Sequence, residues 1–348
     1  MPRFHTLKVN LIERLTLEAV CIEFEVPESL KDAFKFDAGQ YLTIKHPNNG
    51  EEIRRDYSIC SSPSSGKLQV GVKEVKGGRF SVFANKELKA GDSLEVMEPQ
   101  GRFVFTSDAN RKANYVAIAA GSGITPVLSI IADALENESQ STFLLIYGNR
   151  TEEQTMFLSQ IRALQAKYPE RFQLELVYSQ QHVDDTKFGR IDRSIINFFM
   201  KNKYKDLTVD TYFLCGPGDL IEQAKNVLID NGVDEENIRF ELFTSSQKEE
   251  VIVTDGMTKI TVILDDEETS FDMDQENLVL DSVLDQGLDA PYSCRGGICS
   301  TCMAHVKKGK AKMRKNQILT DDEVEQGYIL TCQAQPTTPT IVIDYDDI

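Results

Sequence analysis

Four of the seven cysteines keep a fixed spacing near the C-terminus. Cys294, Cys299 and Cys302 crowd into "CRGGICSTC", and Cys332 follows in "YILTCQAQP", giving C-x4-C-x2-C-x29-C. Thiolates in this order are the ligand set of one class of 2Fe-2S cluster. Such a cluster packs much negative charge into a small volume, so backbone N–H groups must point at its sulfurs. Gly296 and Gly297 can take the positive φ that a tight loop of this kind needs, and Arg295 adds a positive charge. A structural zinc site also uses four cysteines, but usually as two C-x2-C pairs, and only one such pair exists here. A Rieske centre needs two histidines, and His305 is the only one nearby. Cys21, Cys60 and Cys215 stand alone, so the cysteines are not a disulfide framework.

A chain of 348 residues is too long for one ordinary core and implies two or three domains. With 41% apolar and 27% charged residues it has a globular composition. The start "MPRFHTLKVN" has no apolar stretch of the signal-peptide kind, and no apolar run approaches the ~20 residues that span a bilayer. The expectation is a soluble cytoplasmic protein with no membrane partner. A net charge of −17 argues against binding nucleic acid. From Glu249 onward there are 20 acidic and 8 basic residues, so the last quarter is an acidic unit.

Three kinds of pattern follow one another. Residues 1–108 hold short alternating runs such as "YLTIKHP", "KLQVGVKEV" and "DSLEVMEP", separated by turn residues. They imply a small antiparallel barrel. Residues 109–243 alternate apolar runs ("YVAIAAG", "TFLLIYGN", "FQLELVYS", "TYFLCGP") with helix-length stretches, among them "EQTMFLSQIRALQAKY". That order implies a parallel sheet with helices on both faces and ligands at the strands' carboxyl ends. Residues 244–258 read as a linker and 259–348 as the acidic cluster domain, opening with a hairpin whose turn is acidic.

Two of these segments carry ligand signals. "RRDYSICSSP" ends a strand: Arg55 offers a fork of donors for a phosphate, Tyr57 an aromatic face, and Ser58 a small donor that could reach a flavin ring nitrogen. "KGGRFSVFANKEL" places Gly77, Gly78 and Ser81 before a helical stretch, as in a phosphate cradle. In "YVAIAAGSGITPVLSI" a strand runs through Gly121 and Gly123 into a helix opening with Thr125 and Pro126, where glycines admit a pyrophosphate. "YFLCGPGDLIEQA" repeats that logic, with Cys215 before Gly216 and Pro217.

Taken in order, "RDYSICSS", "GGRFS", "AAGSGITPVLSI", "YGNRT", "CGP" and the cysteine segment resemble the ferredoxin–NADP reductase superfamily. The likeness is strongest to its reductases with a C-terminal plant-type ferredoxin domain, above all those of bacterial phenylacetyl-CoA epoxidases, and covers essentially the whole chain. The resemblance implies an FAD-binding β-barrel, an α/β nicotinamide domain and an α+β ferredoxin-like (β-grasp) 2Fe-2S domain. It implies that Arg55, Tyr57 and Ser58 bind the flavin, Ser58 near N5, with Val72, Lys73, Gly78 and Ser81 around its pyrophosphate. Gly121, Gly123, Thr125 and Pro126 match the dinucleotide turn. Cys215 matches the cysteine beside the nicotinamide at hydride transfer, and Phe243 in "FELF" the place of a flavin-stacking residue. Gln180 stands where NADPH-specific relatives carry an arginine. Arg150, helped by Lys187 or Arg190, could hold a 2′-phosphate instead, so NADPH is the expected donor and NADH the alternative.

The activity so implied is electron transfer from NAD(P)H through FAD and the cluster to an oxygenase component. That component docks transiently and is expected to be a di-iron phenylacetyl-CoA epoxidase. A ring-hydroxylating dioxygenase or demethylase, whose reductases often hold FMN, is the alternative client. A zinc-bound interaction protein without enzyme activity is the remote alternative. Beside the cluster loop, "HVKKGKAKMRKNQ" carries Lys307, Lys308, Lys310, Lys312, Arg314 and Lys315, a basic strip read either as a solvated hairpin or as part of a docking face.

Overall fold

The computed structural model describes residues 3–48, 51–243 and 256–348, which form two compact units. The expected linker 244–258 falls mostly outside the described residues, and Met257 and Thr258 already belong to a strand.

The first unit, Phe4–Phe243, begins with six strands: β1 (Phe4–Thr16), β2 (Ala19–Glu25), β3 (Tyr41–Asn48), β4 (Glu51–Ser58), β5 (Leu68–Lys73) and β6 (Ser93–Met97). They pair antiparallel in the order β4-β3-β6-β1-β2-β5. Just past β4, Ile59 bridges Val70 of β5, and the Cys60 N–H donates to the Gln69 carbonyl at 2.9 Å. First and last strands therefore meet, and the sheet closes as a barrel over Leu7, Val20, Ile22, Leu42 and Val70. Helix α1 (Arg79–Lys86) buries Phe80 and Ala84 in the same core.

A parallel sheet follows: β7 (Asn114–Ala120), α2 (Ile124–Asn137), β8 (Thr142–Asn149), α3 (Leu158–Lys167), β9 (Phe172–Tyr178), β10 (Lys187–Phe188), α4 (Arg193–Asn197), β11 (Thr211–Gly216), α5 (Gly218–Asp230) and β12 (Ile238–Leu242). The order β10-β9-β8-β7-β11-β12 runs outward both ways from β7. Consecutive buried residues such as Tyr115–Ala119 are what a strand covered on both faces requires. The crevice beyond the carboxyl ends of β7 and β11 is the switch point, where such sheets take ligands.

The stretch "EQTMFLSQIRALQAKY" is helical only from Leu158. Phe157 sits at φ 59°, a costly conformation for an aromatic residue, and that residue interrupts any earlier helix. Its buried ring lies against the barrel: a Cβ on Gly71 of β5 would come within 2.9 Å of the Phe157 ring and 2.6 Å of Thr125 Cγ2. Barrel and parallel sheet thus share one apolar cluster, with Cys21 and Cys60 beside Ile124 and Phe157.

The second unit holds β13 (Met257–Leu264), β14 (Glu267–Asp274), α6 (Val279–Asp285), β15 (Met303–Lys308), β16 (Ala311–Met313), α7 (Asp321–Glu325), β17 (Tyr328–Leu330), β18 (Ala334–Pro336) and β19 (Thr340–Asp344). Five strands form the mixed sheet β14-β13-β19-β15-β17, and α6 buries Val279, Leu280 and Val283 in its core. The β13–β14 hairpin turns on Asp265 and Asp266, both at positive φ, with their N–H groups held by Asp346. The basic strip is not one hairpin, because β15 belongs to the main sheet while β16 pairs only with β18 among the described residues. No helix among the described residues is long and apolar enough to cross a membrane.

The segment between barrel and parallel sheet is tied down by Glu138, which has no exposed surface. Its carboxylate accepts from Arg111, Tyr115, Ser141 and the Asp108 N–H, all at 2.7–3.0 Å. Glu138→Ala strips all four donors of their acceptor. Removing one member of a buried charged network costs about 3–5 kcal/mol. Urea unfolding should register a loss of that size, and a loss under 1 kcal/mol would show that the network holds nothing together.

Candidate functional site

The four expected ligand cysteines converge. Cys294 and Cys299 lie with their sulfurs 3.1 Å apart, and Cys332 hydrogen-bonds with Cys294 and Cys302. The loop that gathers them is folded as the glycine argument requires, though the positive φ values fall on Arg295 (51°) and Gly297 (72°). At Gly297 a Cβ would press to 3.0 Å from the Lys315 carbonyl. The Gly296 N–H donates to Cys294 Sγ at 3.3 Å, and the Ile298 backbone also bonds to that sulfur. Cys299, Cys332 and these amides hold the Cys294 thiol far below its usual range, while the bonds to Cys294 and Cys302 and then burial push Cys332 up. Thr331 donates to the Cys302 carbonyl at 2.9 Å and so couples the loop to the return strand. A set of sulfur-only donors wrapped in backbone N–H groups fits a 2Fe-2S cluster. Arg295 is turned outward, paired with Asp281 at 3.0 Å and stacked over Tyr292.

In the first unit, the barrel's closing point and the sheet's switch point meet. Ser58, the last residue of β4, donates from Oγ to Glu241 Oε2 at 3.0 Å. Glu241 lies on β12 opposite Cys215 of β11, and Cys215 has no exposed surface. Burial first, and then the Glu241 carboxylate, push the Cys215 thiol up. Burial likewise raises the Glu241 carboxyl, against the lowering bond from Ser58 and with the added repulsion of Asp56, to about 8.

Around this centre the expected residues take different parts. Tyr57 stacks at a tilt on Phe80, with ring centroids 5.4 Å apart. Arg55 is exposed and donates to the Arg54 carbonyl at 2.7 Å. Val72 is buried in the barrel core, so only its backbone can meet a ligand. Gly78 caps α1, and Ser81 Oγ closes the same loop by accepting from the Val75 N–H at 3.2 Å. Thr125 donates to the Ser122 carbonyl at 2.9 Å, and Pro126 sits in the first turn of α2, where its missing N–H is harmless. Phe243 packs half-buried against the shared apolar cluster.

The two glycines of the first turn do unlike work. Gly121 is left-handed (φ 56°) and open, with its carbonyl held by the Tyr147 hydroxyl at 2.9 Å. Gly123 is a packing glycine: a Cβ there would fall 2.2 Å from the Cys215 carbonyl, so the β7 and β11 turns interlock only without one. Gly216 and the exposed Pro217 then lead into α5. Lys73, expected near the flavin pyrophosphate, brings its ammonium 4.0 Å from the Cβ position of Gly121. Its pKa is lowered by burial and by the exposed Arg150 nearby, while Glu18 opposes. Lys187 lies over the Phe198 ring, and Arg190 is exposed.

Three family models match in chain order: an oxidoreductase FAD-binding domain over residues 6–105, an oxidoreductase NAD-binding domain over 117–226, and a 2Fe-2S iron-sulfur cluster binding domain over 262–337. The chain is 43% identical to one component of the 1,2-phenylacetyl-CoA epoxidase of Escherichia coli, with 99% of each chain covered. The chain belongs to the ferredoxin–NADP reductase superfamily, among the reductases with a C-terminal 2Fe-2S domain. A 3-ketosteroid-9-alpha-monooxygenase ferredoxin reductase component from Mycolicibacterium smegmatis is 32% identical over 99% of this chain and 98% of its own. The fold is that of phthalate dioxygenase reductase, at TM-score 0.60 and 24% identity over 98% of each chain. This reductase is an NAD(P)H-dependent oxidoreductase carrying FAD-binding, NAD-binding and 2Fe-2S domains.

Glu241 is the site residue that the sequence pattern did not single out. Its signal was present: a lone carboxylate in "RFELF", flanked by apolar residues, must find a partner once the strand is buried.

Two outcomes follow from this geometry. Cys332→Ser should abolish cluster iron and its visible absorption while flavin reduction by NAD(P)H persists, because the two sites lie in separate compact units. A normal iron content would remove Cys332 from the ligand set. For Glu241, the folded pKa lies above the ordinary carboxylate value, so its stabilising protonation is complete below about 4.5 and is lost as pH rises through about 8. The slope is at most about 1.4 kcal/mol per pH unit. Glu241→Gln should flatten the fall of melting temperature across that window, and identical pH profiles for variant and wild type would place the carboxyl in an ordinary environment.

Proposed function

We propose that this reductase draws electrons from NADPH and delivers them to an oxygenase component, a di-iron phenylacetyl-CoA epoxidase, in the cytoplasm. The observation that carries the reading is the convergence of Ser58, Glu241 and Cys215, where barrel and parallel sheet meet in one compact unit. When bound, the flavin supplies two-electron exchange with a nicotinamide and one-electron exchange with an iron-sulfur cluster.

The chain's own residues hold and exclude. Arg55, Tyr57, Ser58, the Val72 backbone, Gly78 and Ser81 bind FAD from the barrel side, over residues 1–108. Gly121, Gly123, Thr125, Pro126, Gly216 and Pro217 bind the dinucleotide from the 109–243 side. Cys215 walls the contact between the two rings, Phe243 closes its flavin side, and Ser58 and Glu241 keep a hydrogen-bonding pair there whose neutral form burial favours. Lys73, whose ammonium lies by the open Gly121 turn, and the nearby Arg150 form a pair of cations suited to phosphates, with Lys73 serving the flavin pyrophosphate. Cys294, Cys299, Cys302 and Cys332 hold the cluster in 259–348.

The phenylacetyl-CoA client is supported by the 43% full-length identity to the epoxidase component. A second client, a ring-hydroxylating oxygenase, is favoured by the 32% full-length relative, a 3-ketosteroid-9-alpha-monooxygenase ferredoxin reductase component. Purified chain, NADPH and either set of oxygenase proteins decide between them: coupled product formation should appear with the epoxidase. Turnover with the ring hydroxylase alone would overturn the first reading. For the nucleotide, Arg150→Ala should raise KM for NADPH about tenfold, the equivalent of ~1.4 kcal/mol, and leave NADH nearly unchanged. Equal effects on both would make Arg150 a general anchor and not a 2′-phosphate ligand.

A further inference from the structure

The open edge of β16 borders a groove of about 870 Å³. Lys310, Lys312 and Arg314 stand along one side, Asp321 and Glu325 of α7 along the other, and Met313 and Ile329 contribute apolar surface. In the antiparallel β16–β18 ribbon, Lys312 faces Gln335, while the Thr337 N–H donates to the Lys310 carbonyl and the Arg314 N–H to the Gln333 carbonyl. Narrow and wide pairs alternate in such a ladder, so the backbone groups of residues 310, 312 and 314 serve β18. Those of Ala311 and Met313 point the other way. Pro336, which has no N–H, sits opposite Ala311 and agrees with that phase. Among the described residues no strand pairs with this second edge.

The charges on the edge are as uneven as its hydrogen bonds. Six of the eight basic residues after Glu249 lie between Lys307 and Lys315, in a segment with 20 carboxylates. Lys307 is neutralised by Asp347 at 2.6 Å. Lys310 and Lys312 are exposed and have no carboxylate partner among the described residues, and Arg314 spends its bonds on neutral oxygens of Gln335 and Glu276. The groove also adjoins the thiols. The Gln317 N–H donates to the Gly297 carbonyl at 3.0 Å, and Arg314 bonds to Gln333, the residue after Cys332.

We propose that this edge receives an extended acidic segment of the oxygenase component, which adds to β16 as a strand beside the cluster. The proposal rests on the oxygenase-reductase reading above. Main-chain bonds to Ala311 and Met313 supply affinity, and carboxylates against Lys310, Lys312 and Arg314 supply register. The acidic α7 repels carboxylates from the far wall, so only one orientation of the segment is favourable. Outside the strip, the segment from Glu249 onward sets 20 carboxylates against two cations, Lys259 and Arg295, so an acidic partner is turned away from most other faces.

The test uses the full chain and the oxygenase component purified from the same cells. Lys310→Glu/Lys312→Glu should raise KM for the oxygenase component at least tenfold at low salt. NADPH-driven reduction of a small neutral quinone and the cluster's visible absorption should stay unchanged. On wild type, amide exchange in residues 311–313 should slow when the oxygenase component is added. A wild-type chain that drives turnover, together with a variant of unaltered KM or exchange that does not slow, overturns the groove alone. A wild-type chain that drives no oxygenase turnover overturns both readings. If the variant loses its cluster absorption, the exchange measurement on wild type decides. Slowing that depends on chain concentration without the oxygenase assigns the edge to a second copy and also overturns the proposal.

Discussion

A hydrogen bond from Ser58 to Glu241 joins two sheets of opposite kind. One is a closed antiparallel barrel whose strands read as alternating residues, the other a parallel sheet buried on both faces. Each alone has a ligand edge, but a hydride can pass only if the two edges are held within a ring's thickness of each other. The fold secures this with packing that tolerates little change. Phe157 accepts a left-handed backbone so that its ring can fill the space Gly71 leaves on β5. Gly123 gives up its side chain so that the β7 turn can lie on the Cys215 carbonyl. Glu138 gathers four donors under the segment that connects the two sheets.

That arrangement explains why a carboxyl group suits the centre. A carboxylate taken out of water with no cation beside it costs several kcal/mol in desolvation. Burial favours the neutral form of the Glu241 carboxyl, which still pairs with Ser58. Cys215 is likewise kept as a neutral thiol by burial. Ser58, Glu241 and Cys215 are thus polar neighbours, and the cations Lys73 and Arg150 lie near each other.

The sequence made legible whatever depends on short-range pattern. Strand–turn–helix units ending in Gly121, Gly123 and Gly216 were readable because a dinucleotide turn needs glycine at fixed places, and the cysteine quartet because metal ligands have fixed spacing. What it hid depends on long-range partners. The Lys73 side chain reaches from the barrel to the other sheet's turn, a neighbour that its own stretch "VGVKEV" does not reveal. Glu241 and Glu138 were not singled out, because the donors that hold them, Ser58 and Arg111 among them, come from distant elements. "EQTMFLSQIRALQAKY" has helical spacing throughout, but the tertiary contact at Phe157 overrides it. The strip after Val306 looked like one hairpin because Gly309 and the alternating lysines fit a turn and two strands, and nothing local reveals that β15 and β16 join different sheets.

The division into two compact units has its own physical logic. Flavin and nicotinamide must touch for hydride transfer, and the barrel and the parallel sheet share one apolar cluster. An electron can move between centres that do not touch, so the thiols need no such shared packing and sit over a core of their own. Freed from that demand, the second unit can spend its surface on charge. From Glu249 onward it carries −12 of the chain's net −17, and most of its cations are gathered beside the thiols. Such segregation gains little stability, since exposed pairs contribute at most about 1 kcal/mol each. Its return is directional: a long-range field guides a partner toward one face and away from the others.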